Sequence, residues 1–108
     1  MDKSSDIVQG TLDMLVLKTL ALQPMHGYGI TVRLEQMSQG TFRINAGSLF
    51  VALQRLERAR LIKSEWKATE NSRRAKYYIL TQNGRRRLDN ETRQWGRQVA
   101  AIARILEA

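Results

Sequence analysis

Residues 45–80, NAGSLFVALQRLERARLIKSEWKATENSRRAKYYIL, determine the fold class of this chain. Asn45 is typical of a helix N-cap, because its side-chain oxygen can accept a backbone N–H that lacks a partner in the first helical turn. The helix that follows is predicted to extend to about Arg60. Its apolar residues recur at helical spacing and form one buried stripe: Leu49, Leu53 and Leu56.

The opposite face of this helix is predicted to point away from the core. Projecting each residue at 100° places four side chains opposite the buried stripe: Gly47, Val51, Gln54 and Arg58. Ser48 and Arg55 fall on one flank of that face, and Phe50 falls on the other flank.

Two β-like runs follow the helix. Leu61 to Thr69 alternates in polarity, with Ile62 and Trp66 predicted on one face. Residues 75–80 carry the strongest strand signal in the chain, and residues 70–74 have the composition of a hairpin tip. The two strands and their tip are therefore predicted to form an antiparallel wing.

Two further helices precede this stretch. Residues 11–22 form the first, and its apolar side chains lie on two opposite faces, which predicts a helix packed between two layers. The second opens at Gly27 and extends to about Ser38, with an inward face predicted to contain Ile30, Leu34 and Met37. Thr41 to Ile44 is predicted to form a short strand.

The last helix is predicted from about Gln82 to Glu107, with Thr81 as its cap. It would be about 39 Å long. A narrow seam at spacings of 4, 3, 4, 3 and 4 runs along it: Leu88, Thr92, Trp95, Val99, Ile102 and Leu106. Such a coiled-coil seam needs a partner, and the simplest partner is the same helix of a second copy. Gly84 and Gly96 each disfavour the helix by about 1 kcal/mol, so packing must offset that cost.

Three helices followed by a two-stranded hairpin are the element order of a winged helix-turn-helix domain. We therefore expect a mainly α fold with a small antiparallel β wing. Residues 1–80 would form the DNA-binding domain, and residues 81–108 the C-terminal dimerisation helix. In such a domain the third helix enters the major groove, while the wing touches the DNA backbone or the minor groove.

The charge distribution agrees with a nucleic-acid partner. The chain has a net charge of +8, and residues 55–97 hold 13 of its 18 basic residues but only 5 of its 10 acidic ones. Cations on the third helix and the wing would pair with phosphates, while Ser48, Val51 and Gln54 would read bases. The full set of expected DNA-contacting residues is Tyr28, Asn45, Ser48, Val51, Gln54, Arg55, Arg58, Arg73, Arg74 and Lys76. For Tyr28, a packing role is an equal alternative, and for Gln54 and Arg55 the alternative is a solvated helix face with no DNA contact.

Four segments of the chain resemble the PadR family, which takes its name from the phenolic acid decarboxylase regulator. They are Gly10-Thr11-Leu12, residues 26–30 (HGYGI), residues 45–50 (NAGSLF) and residues 73–81 (RRAKYYILT). The resemblance covers the chain from about residue 8 to its end. It implies a homodimeric transcriptional repressor of the shorter subclass, which dimerises through one long terminal helix. Ala46 and Phe50 replace a common proline and tyrosine, so a phosphate contact by that tyrosine hydroxyl is not carried over.

Other classes of protein fit the sequence less well. His26 is the only histidine and cysteine is absent, so no partner is evident for nucleophilic or metal chemistry. We expect no catalytic residue, no metal and no cofactor. The polar start, Met1 to Asp6, lacks the apolar core of a signal peptide, and no apolar run approaches the roughly 18 residues of a membrane span. We expect a soluble cytoplasmic protein.

Some alternatives stay open at the level of sequence. Trp95 belongs either to the dimer core or to a site where a flat aromatic or drug-like effector stacks. A non-specific architectural DNA-binding protein would show the same charge distribution but would bind operator and random DNA alike. A protein-interaction module with incidental basic charge would bind its partner with little sensitivity to salt. The narrow seam over residues 82–107 disfavours a membrane-surface helix.

Overall fold

A computed structural model describes residues 11–108 of the protein. The polar start, Met1 to Asp6, and Gly10 of the first motif lie outside the described residues. The elements follow in this order: α1 (Thr11–Leu22), β1 (Met25–His26), α2 (Gly27–Met37), α3 (Ala46–Arg58), β2 (Ile62–Ala68), β3 (Arg74–Leu80) and α4 (Gln82–Glu107). This order confirms the predicted winged helix-turn-helix fold with a long C-terminal helix.

Side-chain caps determine where three of the helices begin. The Gly29 N–H donates to Nδ1 of His26 at 3.0 Å, which caps α2. Asn45 and Thr81 cap α3 and α4 as predicted, each by accepting the backbone N–H three residues later at 3.0 Å. In each case the cap satisfies a donor that has no partner within the helix.

The sheet has three strands in the order β1-β3-β2, and all neighbours are antiparallel. The hairpin of β2 and β3 pairs Ile62 with Leu80 at its base and Ala68 with Arg74 at its tip. The third strand, β1, pairs Met25 with Tyr78. Strand β1 has no signal in the sequence, because two residues are too few to show alternation.

The predicted strand at Thr41 to Ile44 is wrong, since no strand forms there. Side chains of α2 and its C-terminal cap satisfy the backbone donors of this segment instead. The Phe42 N–H donates to Oγ of Ser38 at 3.2 Å, and the Ile44 N–H donates to Oε2 of Glu35 at 3.3 Å. The segment is therefore held against the end of α2, and its strand pairing is limited to an isolated β-bridge at Phe42.

The core lies where α1, α2, α3 and the base of the sheet meet. Its most deeply buried side chains are Val16, Leu17, Thr19, Ile30 and Ile62. The Thr19 hydroxyl donates to the Leu15 carbonyl at 2.8 Å, so this buried polar group is satisfied. The predicted stripe of α3, Leu49, Leu53 and Leu56, is buried as expected.

One prediction of an inward-facing side chain is wrong, and one apolar residue of the wing is exposed. Met37 is 46% exposed, because it is the last residue of α2 and the helix ends beyond the edge of the core. Trp66 is 59% exposed, whereas Ile62 on the same strand is buried. Only the base of the hairpin rests on the helices, and the rest of the wing projects past them. Near the tip of the hairpin, the alternation of apolar and polar side chains along β2 therefore does not correspond to burial.

Helix α4 begins on the domain and then leaves it. Gly84 and Leu88 in its N-terminal part are buried, Gly84 against the Leu61 carbonyl and the Leu80 side chain, and the helix also packs against α1. A Cβ on Gly84 would lie 2.0 Å from the Leu61 carbonyl oxygen, so only glycine permits this approach. The apolar residues of the predicted seam that follow Leu88 are exposed in a single chain. They are Trp95, Val99, Ile102 and Leu106.

A candidate nucleic-acid interface and a candidate ligand cavity

The outer face of α3 carries the side chains that the projection places there. Gly47, Val51, Gln54 and Arg58 are not part of the core, and Val51 has 54% of its surface accessible. A β-branched apolar residue this exposed gains nothing from the core of its own domain. The chemistry of the face is therefore mixed: one apolar side chain, one amide and one cation within about two turns of helix.

The two flanks of α3 are tied to neighbouring elements. On one flank, Arg55 binds Asp13 of α1: its Nε–H donates to Oδ2 at 3.1 Å and its Nη2 to Oδ1 at 2.5 Å. On the other flank, Glu57 accepts from the Ser64 hydroxyl of β2 at 2.5 Å and lies 3.6 Å from Nζ of Lys76 on β3. These contacts hold α3 between α1 and the wing.

The five predicted phosphate-binding cations fall into two groups. Arg58, Arg73 and Arg74 are exposed and form no ion pair with any carboxylate between Thr11 and Ala108. Arg55 and Lys76 are each paired with a carboxylate, and Nζ of Lys76 also lies 5.8 Å from the centre of the Tyr78 ring. The electrostatic attraction toward a polyanion therefore comes chiefly from the first group.

A groove of about 870 Å³ lies between the start of α2, the start of α3 and the wing. Tyr28 of α2, Phe50 of α3 and the three wing residues Arg73, Arg74 and Lys76 all line it. Tyr28 is 76% exposed, and the centre of its ring lies 6.5 Å from that of the His26 ring in a stacked arrangement. The structure thus brings predicted residues from three separate elements to one surface.

Some groove residues were absent from the predicted DNA-contacting set. Phe50 lies in the groove with 56% of its surface exposed, and His26 and Thr31 also line it. Phe50 falls inside the NAGSLF motif and on a flank of α3, so its position in the motif was a usable signal. His26 falls inside the HGYGI motif and carried the same signal, whereas Thr31 lies outside every motif and carried none.

A second cavity, of about 540 Å³, separates α1 from the first half of α4. Trp95 lines it together with Leu88, Thr92, Met14 and Leu15. Trp95 is 44% exposed, so one side chain forms part of both the cavity wall and the open α4 seam. Both interpretations of Trp95 derived from the sequence are therefore compatible with its position.

Two features are absent among residues 11–108: a cluster of metal-ligating side chains and a membrane-spanning helix. Within that range, no three His, Asp or Glu side chains come together as a metal site would require. No helix in the same range is both long enough and apolar enough to cross a membrane.

The element order, the wing and the exposed third helix define the class of this molecule: a winged helix-turn-helix protein with an extended C-terminal helix. The chain belongs to the Transcriptional regulator PadR-like family, whose sequence profile matches residues 16–90. The resemblance found in the four motifs is thereby confirmed. The family is one of transcriptional regulators, not of enzymes.

Solved structures share this architecture. A PadR family transcriptional regulator from Eggerthella lenta is 33% identical with a TM-score of 0.80, and the match covers 93% of this chain and 85% of that one. A PadR family transcription regulator from Clostridium difficile is 27% identical with a TM-score of 0.77, over 90% and 99% of the two chains. Bacillus subtilis PadR, solved in complex with operator DNA, is 19% identical with a TM-score of 0.69, over 77% and 47%. At that identity the likeness is one of fold.

Proposed function

We propose that this protein is a cytoplasmic, homodimeric repressor that binds operator DNA and is released by a small, flat apolar effector. The observation that carries the DNA-binding part is the shared surface of α3 and the wing. There, an exposed helix face with base-reading chemistry adjoins a groove lined by the cations of the wing.

Sequence reading is assigned to the outer face of α3. Gln54 has the amide geometry for a bidentate contact with adenine, Val51 offers an apolar contact for a thymine methyl, and Ser48 can donate to or accept from a base edge. Asn45 uses its side-chain oxygen to cap α3 and remains exposed, so its amide group can still reach the DNA. A helix presented in this way suits the major groove.

Phosphate binding is assigned to the cations around that face. Arg58 extends from the far end of α3, and Arg73 and Arg74 occupy the tip of the wing. Tyr28 is placed to donate its hydroxyl to a phosphate from the opposite wall of the groove. Lys76 would contribute less, because Glu57 already neutralises part of its charge. The Bacillus subtilis relative with the same fold was solved on operator DNA, which supports this assignment.

Dimerisation is assigned to the seam of α4. Trp95, Val99, Ile102 and Leu106 form a continuous apolar stripe that residues 11–108 of a single chain leave uncovered. A second α4 would bury this stripe, and two DNA-binding domains would then be available for the two halves of a symmetric operator. Gly96 has nothing within 4 Å of its Cβ position, which leaves room for the partner helix.

Effector binding is assigned to the cavity between α1 and α4. Its lining is mostly apolar, and the Trp95 ring offers a face for stacking of a flat aromatic molecule. In a dimer this cavity would lie beside the interface, since Trp95 belongs to both. A ligand there would alter the packing of the two α4 helices against each other. The distance between the two α3 helices of the dimer would then change.

The deciding experiment is selection of preferred sites from a random duplex library, followed by titration of the enriched duplex and a scrambled one. A specific regulator should bind its selected site at least about 1000-fold more tightly. Equal binding to both duplexes would favour the architectural alternative. Failure to enrich any duplex, together with binding that does not respond to salt, would favour the protein-interaction alternative.

A further inference from the structure

One ion pair joins α1 to α3, between residues that lie 42 positions apart in the sequence. Both N–H groups on one edge of the Arg55 guanidinium donate to the two oxygens of Asp13, at 3.1 and 2.5 Å. This two-point geometry fixes orientation as well as distance. Asp13 holds the pKa of Arg55 above its ordinary value, first through the hydrogen bond and then through the opposite charge.

The surroundings of the two partners are unequal. The Asp13 side chain is only 19% exposed, whereas that of Arg55 is 44% exposed. If Arg55 turned toward a phosphate, Asp13 would be left as an uncompensated and partly buried negative charge close to DNA. That loss would offset the gain from the new contact.

Helix α1 is a suitable frame for α3, because α1 also packs against α2, β3 and α4. Arg55 projects from the flank of α3, about 100° around the helix from Gln54, so its pairing with α1 resists rotation of α3 about its own axis. On the other flank, Glu57 resists the same rotation through Ser64. Rotation is the motion that would turn Gln54 and Val51 away from the bases.

We propose that Arg55 is a positioning residue for DNA recognition: bound to Asp13, it sets the rotation of α3 and does not neutralise a phosphate. This inference rests on the proposed DNA-binding function. The inference gives Arg55 a different role from that of Arg58. Arg58 lies slightly less than one turn further along the same helix and is assigned to a phosphate.

The two roles predict opposite results for Asp13→Asn. If Arg55 positions α3, this substitution loosens the helix and lowers the ratio of affinities for the selected and scrambled duplexes by about 1.4-fold to fivefold, the range for an exposed pair. If Arg55 is a phosphate contact, the substitution frees its charge and strengthens binding to both duplexes alike.

The test uses the full chain, the selected duplex, a scrambled duplex and a series of salt concentrations. Asp13→Asn, Arg55→Gln and the double variant should lower the affinity ratio by the same factor, because each breaks the same pair. The salt slope of Arg55→Gln should equal that of the wild type. Arg58→Gln is the matched control, and its slope should fall by about 0.9 for each phosphate that the variant no longer neutralises.

A reduced salt slope for Arg55→Gln, or tighter binding of both duplexes by Asp13→Asn, would overturn the positioning role. The positioning role would also be overturned if the double variant lost as much discrimination between the duplexes as the two single variants together. If Arg55→Gln does not fold, as judged by cooperative thermal unfolding, Asp13→Asn alone decides through the sign of its effect. A wild-type protein that prefers no duplex would refute the proposed function itself, which is a distinguishable result.

Discussion

Replacing both arginines at the tip of the wing, by Arg73→Ala with Arg74→Ala, tests the electrostatic half of the proposed interface. Both side chains are exposed, both line the groove beside α3, and neither pairs with a carboxylate in residues 11–108. Their contribution to folding should be small, because surface substitutions away from special features usually change stability by less than about 0.5 kcal/mol. Their contribution to DNA binding should be large.

The magnitude follows from the number of phosphates. A dimer has two wings, so the double variant removes up to four cations from the complex. At about 0.9 per phosphate, the slope of log affinity against log salt should fall by up to about 3.6. Between 50 and 200 mM salt, the affinity of the wild type should then fall about 150-fold further than that of the variant.

The assay is a fluorescence anisotropy titration of the selected and scrambled duplexes at several salt concentrations. Both affinities should drop together, and their ratio should stay constant, because phosphate contacts carry no sequence information. Arg97→Ala with Arg104→Ala is the matched control, since it removes the same charge from α4, away from the proposed interface. An altered sequence preference at unchanged slope would show that the wing reads bases. An equal slope change in the control would show that only net charge matters.

Four further predictions concern recognition, packing and assembly. Gln54→Ala should cost about 1–3 kcal/mol of discrimination at one base pair without lowering affinity for scrambled DNA; equal losses on both duplexes would place recognition on another face. Gly84→Ala should lower the free energy of unfolding by about 2 kcal/mol, because the clash with the Leu61 carbonyl exceeds the gain in helix propensity. An unchanged unfolding temperature would contradict the close approach of α4 to that carbonyl. Arg60→Gly should raise the free energy of unfolding by about 1 kcal/mol, since Arg60 has a φ of 63°, which glycine adopts freely. A lower unfolding temperature would contradict this. Sedimentation at micromolar concentration should give twice 12.4 kDa for the wild type and a monomer for Val99→Glu, and a wild-type monomer that still binds its operator normally would rule out the dimer.

Features encoded within one element were predictable from the chain. The caps at Asn45 and Thr81, the stripe of α3 and the full span of α4 depend on neighbours within a few turns, and all of them form as expected. The outer face of α3 was predictable for the same reason, because helical geometry alone determines which side chains oppose a buried stripe. Four ordered motifs were enough to indicate the family.

Features that depend on distant residues were decided only by the tertiary structure. Periodicity makes Trp66 look like a core residue, yet its exposure depends on how far the wing extends beyond the helices. Arg55 and Arg58 look alike in the sequence, and only the position of Asp13, 42 residues away from Arg55, separates them. Gly84 looks unfavourable until α4 is seen against the Leu61 carbonyl. Local hydrogen bonds and side-chain periodicity determine the elements, whereas the packing of those elements determines which side chains remain available for DNA.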